Sequence, residues 1–122
     1  MKKTDKKIDN SVREVLTEVC DIALKEVPGF QWITHFSNYG NFPESLSVVC
    51  IFDTDNDLSS VLSSKQDEDL RKLIQEKLGT VDIHIKNIEQ HVTFDTEEAC
   101  RNENGGKWHE RFKGHKPGKL LH

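Results

Sequence analysis

The chain reads as a single-domain α+β protein: a two-layer sandwich in α-β-β-α-β order, with two helices on one face of a small mixed sheet and a C-terminal tail. Three observations lead there. A long apolar pattern of helical period opens the chain, two strand-like segments flank a loop rich in Asn, Gly and Pro, and a second amphipathic helix precedes another strand-like alternation. A length of 122 residues fits one domain with one core. The domain is expected over residues 1–104 and a basic, aromatic-containing tail over 105–122.

In the first helix Ile8, Val12, Val15, Leu16, Val19, Ile22, Ala23 and Val27 recur at three- and four-residue spacing, and Ser11 with Glu14 matches a capping box. Pro28-Gly29 ends it. Phe30 to Ser37 alternates as a strand, with Phe30, Trp32, Thr34 and Phe36 on one face and Gln31, Ile33 and His35 on the other. After the loop Asn38 to Glu44, Leu46 to Asp53 forms a second strand. This strand is apolar on both faces from Val48 to Phe52, so it is expected to be central, with Val49 and Ile51 covered. A short helical turn is expected between Ser59 and Lys65. A second helix follows from Asp67 to Leu78, with acids in its first turn and Gly79 as its cap. Val81, Ile83 and Ile85 alternate as a third strand; by Val92 and Phe94 the apolar phase has switched, which requires a bulge or turn near Asn87 to Gln90 and leaves room for a fourth. A short helix after Thr96 runs to about Asn102. A crossover through the second helix would set the third strand parallel to a neighbour.

Composition narrows the class. Hydrophobic residues are 34% and charged residues 31%, and six Phe, two Trp and one Tyr argue against wholesale disorder. Charge is segregated: five Lys/Arg against Glu110 give the last 18 residues +4, leaving −8 on the first 104. No run of 18 apolar residues occurs, and the lysine-rich start passes into a polar helix without an apolar signal region. A cytoplasmic protein with no membrane partner is expected. Cys20, Cys50 and Cys100 are an odd number at wide spacing, suited to a reducing compartment and not to a disulfide framework.

The apolar run Val48-Val49-Cys50-Ile51-Phe52 delivers Asp53, Asp55 and Asp57 to one strand end, where alternate carboxylates could bind a hard cation such as Mg²⁺. This pattern resembles motif I of the haloacid dehalogenase-like phosphatases. The resemblance implies Asp53 as nucleophile and Asp55 as general acid/base, hence a metal-dependent phosphoryl-transfer or hydrolase enzyme. It covers about ten residues, and the 65 that follow Asp57 cannot supply that doubly wound fold. An EF-hand is broken by Leu58 and Ser64 where Gly and Glu are needed. Asp side chains capping backbone amides at a strand end explain the cluster without metal.

The histidines are 35, 84, 91, 109, 115 and 122, and their spacing with Cys100 forms no zinc pattern; His35 and His84 are expected to be exposed. Glycine patterns for phosphate cradles and the GxSxG elbow are missing. In the tail, Lys107, Arg111, Lys113 and Lys116 interleave with Trp108 and Phe112, a combination that can neutralise phosphates and stack on unpaired bases. The competing expectation is that Trp108 and Phe112 fold back over Val49 and Ile51.

The α-β-β-α-β order is similar to the type II KH fold of the ribosome-binding factor A family, which implies RNA association. The GxxG loop is absent, and seven acids against Lys65 between Glu44 and Asp69 would repel RNA. The stretch from Lys2-Lys-Thr-Asp-Lys-Lys-Ile-Asp-Asn through Gly29-Phe-Gln-Trp-Ile-Thr-His resembles small uncharacterised bacterial proteins, some labelled Fis-family transcriptional regulators. Fis-type proteins end in a helix-turn-helix, whereas this C-terminal half reads as helix, β segments and a Gly-rich tail. The reading is therefore a non-enzymatic binding or interaction module without a cofactor, its partner another protein or, as a homodimer, itself. Nucleic-acid association through the tail and metal-dependent catalysis at the aspartates stay open as alternatives.

Overall fold

A computed structural model describes residues 3–114. Helix α1 spans Lys3–Glu26 and buries Val12, Val15, Leu16, Val19 and Ala23 along one stripe. It starts earlier than its apolar pattern, because Lys and Asp continue a helix without burying anything. Ser11 and Glu14 consequently lie inside α1, which corrects the expected capping box.

Strand β1 (Phe30–Phe36) pairs antiparallel with β2 (Ser47–Phe52), and β2 pairs parallel with β3 (Val92–Thr96), giving a three-stranded mixed sheet in the order β1-β2-β3. The central β2 is buried along its whole length, as its two-sided apolar run requires. Its register sorts the faces. Val48, Cys50 and Phe52 look toward α1 together with Val92, while Val49 and Ile51 lie on the other face with Trp32 and Thr34 of β1 and Thr93 and Asp95 of β3. An irregularity between Phe30 and Trp32 breaks the strict alternation of β1, so Phe30 enters the helix-side core while Trp32 sits on the outer face.

After β2, helix α2 (Asp55–Ser63) and helix α3 (Gln66–Gly79) follow, adding Val61, Leu70, Ile74 and Leu78 to the core. Three helices thus line the inner face where two were expected. The expected third strand at Val81 to Ile85 is not a strand. The segment runs as turn and irregular chain, with Asp82 at φ 63° and Gln75 Nε2 donating to Ile85 O at 2.6 Å. Ile83 and Ile85 are nonetheless buried, so their alternation reports burial beneath α3 and not ladder pairing. The expected turn near Asn87 to Gln90 is the helical turn α4 (Ile88–His91), and the strand parallel to β2 is the later segment β3.

Both parallel strands end in the same pattern, Phe-Asp-Thr-acid. Thr54 caps α2 and Thr96 caps α5 (Glu97–Asn104), each accepting from the backbone amide three residues on. Gly105, at φ 61°, ends α5 in the left-handed conformation that favours glycine. The chain then turns back through α6 (Trp108–Arg111) and a 3₁₀ turn at Phe112–Gly114. Among the described residues, no helix is long and apolar enough to cross a membrane.

Candidate functional site

Asp53, Asp55 and Asp57 do reach one strand end, but the fold uses two of them there. Asp57 completes the α2 capping box: its amide donates to Thr54 Oγ1 at 3.0 Å and its Oδ2 accepts from Thr54 N at 3.3 Å. Asp55 accepts from Thr96 Oγ1 at 2.5 Å, and its amide donates to Glu98 Oε1 at 2.8 Å. Asp53 is exposed, with its backbone amide donating to Gly29 O at 2.9 Å. The N-termini of α2 and α5 meet at this end of the sheet, and these carboxylates occupy the positive ends of both. Among the described residues, no group of three or more His, Cys, Asp or Glu is placed to hold a metal ion.

The aromatic residues of the C-terminal segment lie against the sheet. Trp108 stands edge-on to Trp32 with ring centres 5.0 Å apart, and Phe112 meets Phe36 at 5.1 Å. Trp108 Nε1 donates to Glu97 Oε1 at 2.5 Å. Arg111 grips Asp95 of β3 in a two-point bond, Nε to Oδ2 at 2.6 Å and Nη2 to Oδ1 at 2.9 Å, and its Nη1 reaches Glu103 and Asn104. Asp95 and Glu103 hold the Arg111 guanidinium still more firmly charged than usual, against the cost of its burial. Of the tail cations, Lys107 is exposed, Lys113 pairs with Glu110 at 3.1 Å, and Lys116 lies outside the described residues. Among the described residues, the C-terminal segment thus packs on the sheet face that carries Val49 and Ile51, which are 1% and 0% exposed.

A different place gathers polar groups beside the sheet. Among the described residues β1 pairs only with β2, so its other side is an open sheet edge. Beside this edge runs a groove of about 520 Å³, walled by Trp32, Ile33, Thr34 and His35 of β1 and by Arg13, Leu16, Thr17, Cys20 and Asp21 of α1. The α1 residues are one stripe at helical spacing, and the half-exposed Leu24 falls within about 20° of Thr17 on the same helix. The groove is half-lined by side chains of both β1 faces, which is what an edge presents.

At the His35 end, Asp9 fastens helix to strand. Its Oδ1 accepts from the Tyr39 hydroxyl and from His35 Nε2, the latter at 3.0 Å, and its Oδ2 accepts from Arg13 Nε at 2.7 Å. Because a carboxylate only accepts, His35 carries a proton on Nε2. Partial burial pushes the Asp9 carboxyl up, but the bonds from Tyr39, Arg13 and His35 outweigh it and hold the group well below the usual carboxylate range. Burial, with the bond to Asp9, pushes the Tyr39 hydroxyl up. The His35 side chain is only 12% exposed, correcting the expectation of a solvent-facing ring, whereas His84 is 72% exposed.

Nothing in the groove is an activated nucleophile. Burial, and then Asp21, pushes the Cys20 thiol up, and burial does the same for Cys50 and Cys100. Sequence reasoning passed over Asp9, Arg13, Thr17, Asp21 and Tyr39. The usable signal was the second stripe of α1, since Arg13, Thr17, Cys20, Asp21 and Leu24 share a face offset from the core stripe. Comparison with protein families, curated proteins and solved structures finds no match to this chain.

Proposed function

We propose that this protein is a non-enzymatic interaction module of the cytoplasm that takes up an extended protein segment along the open edge of β1. One observation carries the reading: among the described residues the stretch 31–35 of β1 pairs with β2 alone, and it runs beside a groove walled by α1. Strand addition needs this arrangement, because the edge amides and carbonyls supply hydrogen bonds and the flanking groove receives alternate side chains. The strand Phe-Gln-Trp-Ile-Thr-His-Phe contains no Lys, no Pro and no carboxylate, the usual guards of an edge. Free thiols at all three cysteines are compatible with a reducing compartment.

The alternatives draw less support. Nucleic-acid binding by the tail would need Trp108, Phe112 and Arg111 as contacts, and these residues are engaged with Trp32, Phe36 and Asp95. A Mg²⁺ enzyme at the strand end would need Asp55 and Asp57, which hold the caps of α5 and α2. The test is amide hydrogen exchange on the full chain, alone and with a synthetic peptide of the β1 sequence. Protection is expected to rise at β1 amides when peptide is present. If β1 exchange is unchanged while labelled RNA or DNA binds in a salt-dependent way, the strand-addition reading fails and the tail reading replaces it.

A further inference from the structure

We infer that the occupant of the β1 edge is a second copy of this chain, its β1 added antiparallel across a two-fold axis so that two three-stranded sheets become one. This rests on the strand-addition reading above and names its partner. A two-fold interface brings one patch against itself, so the patch has to be self-complementary: whatever stands on one side of the axis must match what stands on the other. The α1 wall meets that condition. Helix α1 runs antiparallel to β1, as the bond from His35 to Asp9 at one end and from Phe30 N to Val27 O at the other require. Along the groove wall Arg13 and Asp21 stand four residues to either side of Thr17.

A two-fold axis near Thr17 sets Arg13 of each copy beside the partner's Asp21, twice, and brings the two Thr17 side chains together. Arg13 is 70% exposed and bonds Asp9 through Nε, so its Nη1 and Nη2 are the groups directed to this task. The strand agrees with the helix. Phe30–Phe36 is uncharged apart from His35, whose ring is held by Asp9, so β1 meets its own copy without like charges opposed across the seam. A foreign strand would need only the edge; opposite charges placed symmetrically about Thr17 are what a copy of the same chain would match.

The experiment is sedimentation of the full chain over a concentration series, with variants that act on the seam. Wild type is expected to be dimeric. Gln31→Lys/Thr34→Lys and Gln31→Glu/Thr34→Glu are each expected to dissociate about tenfold or more readily, and their mixture to recover the dimer, because opposite charges then face each other. Asp21→Arg, at an exposed helix position, guards against misfolding of the strand variants and is expected to weaken the dimer by placing Arg against Arg13. A wild type that stays monomeric at every concentration overturns the inference, while β1 protection by the strand peptide would still uphold strand addition. A dimer indifferent to all three variants uses another surface and overturns the inference, while the peptide exchange experiment decides strand addition separately.

Discussion

The two edges of the sheet are built by opposite rules. β3 is five residues long and is bounded directly by α4 and α5, with no connecting residue at either end. Its outward side chain Asp95 is held by Arg111, and Phe94 on its other face lies under the Arg71 guanidinium at 4.7 Å. β1 is two residues longer, contains no carboxylate for a Lys or Arg to pair with, and has a groove beside it where β3 has helix ends. A short edge tied down by charge is one that natural sheets use to prevent further pairing, and a long uncharged one invites it. Among the described residues, the β3 side of the sheet is thus tied down, while β1 pairs with β2 alone.

The largest expected effect is on the closed side. Arg111→Met leaves Asp95 charged and unpaired beneath the C-terminal segment, and with both side chains under one-fifth exposed the loss should be about 3 kcal/mol in urea unfolding. Loosened packing of Trp108 on Trp32 would accompany it, seen as a change in tryptophan emission. A loss within error of zero would show that the closed edge does not depend on this pair.

Next comes the entry to the open edge. Gly29 has φ 84°, and a Cβ there would stand 2.5 Å from Asp57 Cβ. Gly29→Ala should cost about 2 kcal/mol from strain and displacement of the α2 cap, read by the same unfolding curve. Asp9→Asn should cost about 1.5 kcal/mol by weakening the bonds to Tyr39, Arg13 and His35. The sign with pH follows from the depressed Asp9 carboxyl. Its contribution is complete above the unfolded value of about 4 and fades only as pH falls toward the lower folded value. The gap between wild type and Asp9→Asn should stay constant from neutral pH to about 4 and narrow below it; a gap that closes already near pH 6 would contradict this.

The smallest expected effect on stability separates the edges most sharply. Gln31→Lys at an exposed β1 position should shift stability by less than about 0.5 kcal/mol yet weaken association along the edge. If association is untouched, the openness of β1 has no consequence in solution.

Local pattern carried the elements whose burial and hydrogen bonding agree. The stripe of α1, the two-sided apolar run of β2 and the acidic start of α3 each appear where their residues placed them. The error at Val81 to Ile85 has a specific cause: period-two burial arises in any extended segment that dips into a core, and the partner strand was claimed by Val92–Thr96. That second location was legible in hindsight, since Phe-Asp-Thr-acid recurs at the end of both parallel strands with Thr as the cap. The Asp cluster was legible as residues and not as roles, because its partners Thr96 and Glu98 are some 40 residues away.

Residue order alone determined the α+β class, the central strand and the need to cover Val49 and Ile51, for those follow from periodicity and from apolar surface that water disfavours. Only the tertiary structure decided that Trp108 and Phe112 pack on Trp32 and Phe36 with Arg111 holding Asp95, that Asp9 joins His35 and Tyr39 across 26 and 30 residues, and that β1 is, among the described residues, an edge strand. Strand order and long-range ion pairs depend on which distant segments meet, and no local period encodes that meeting.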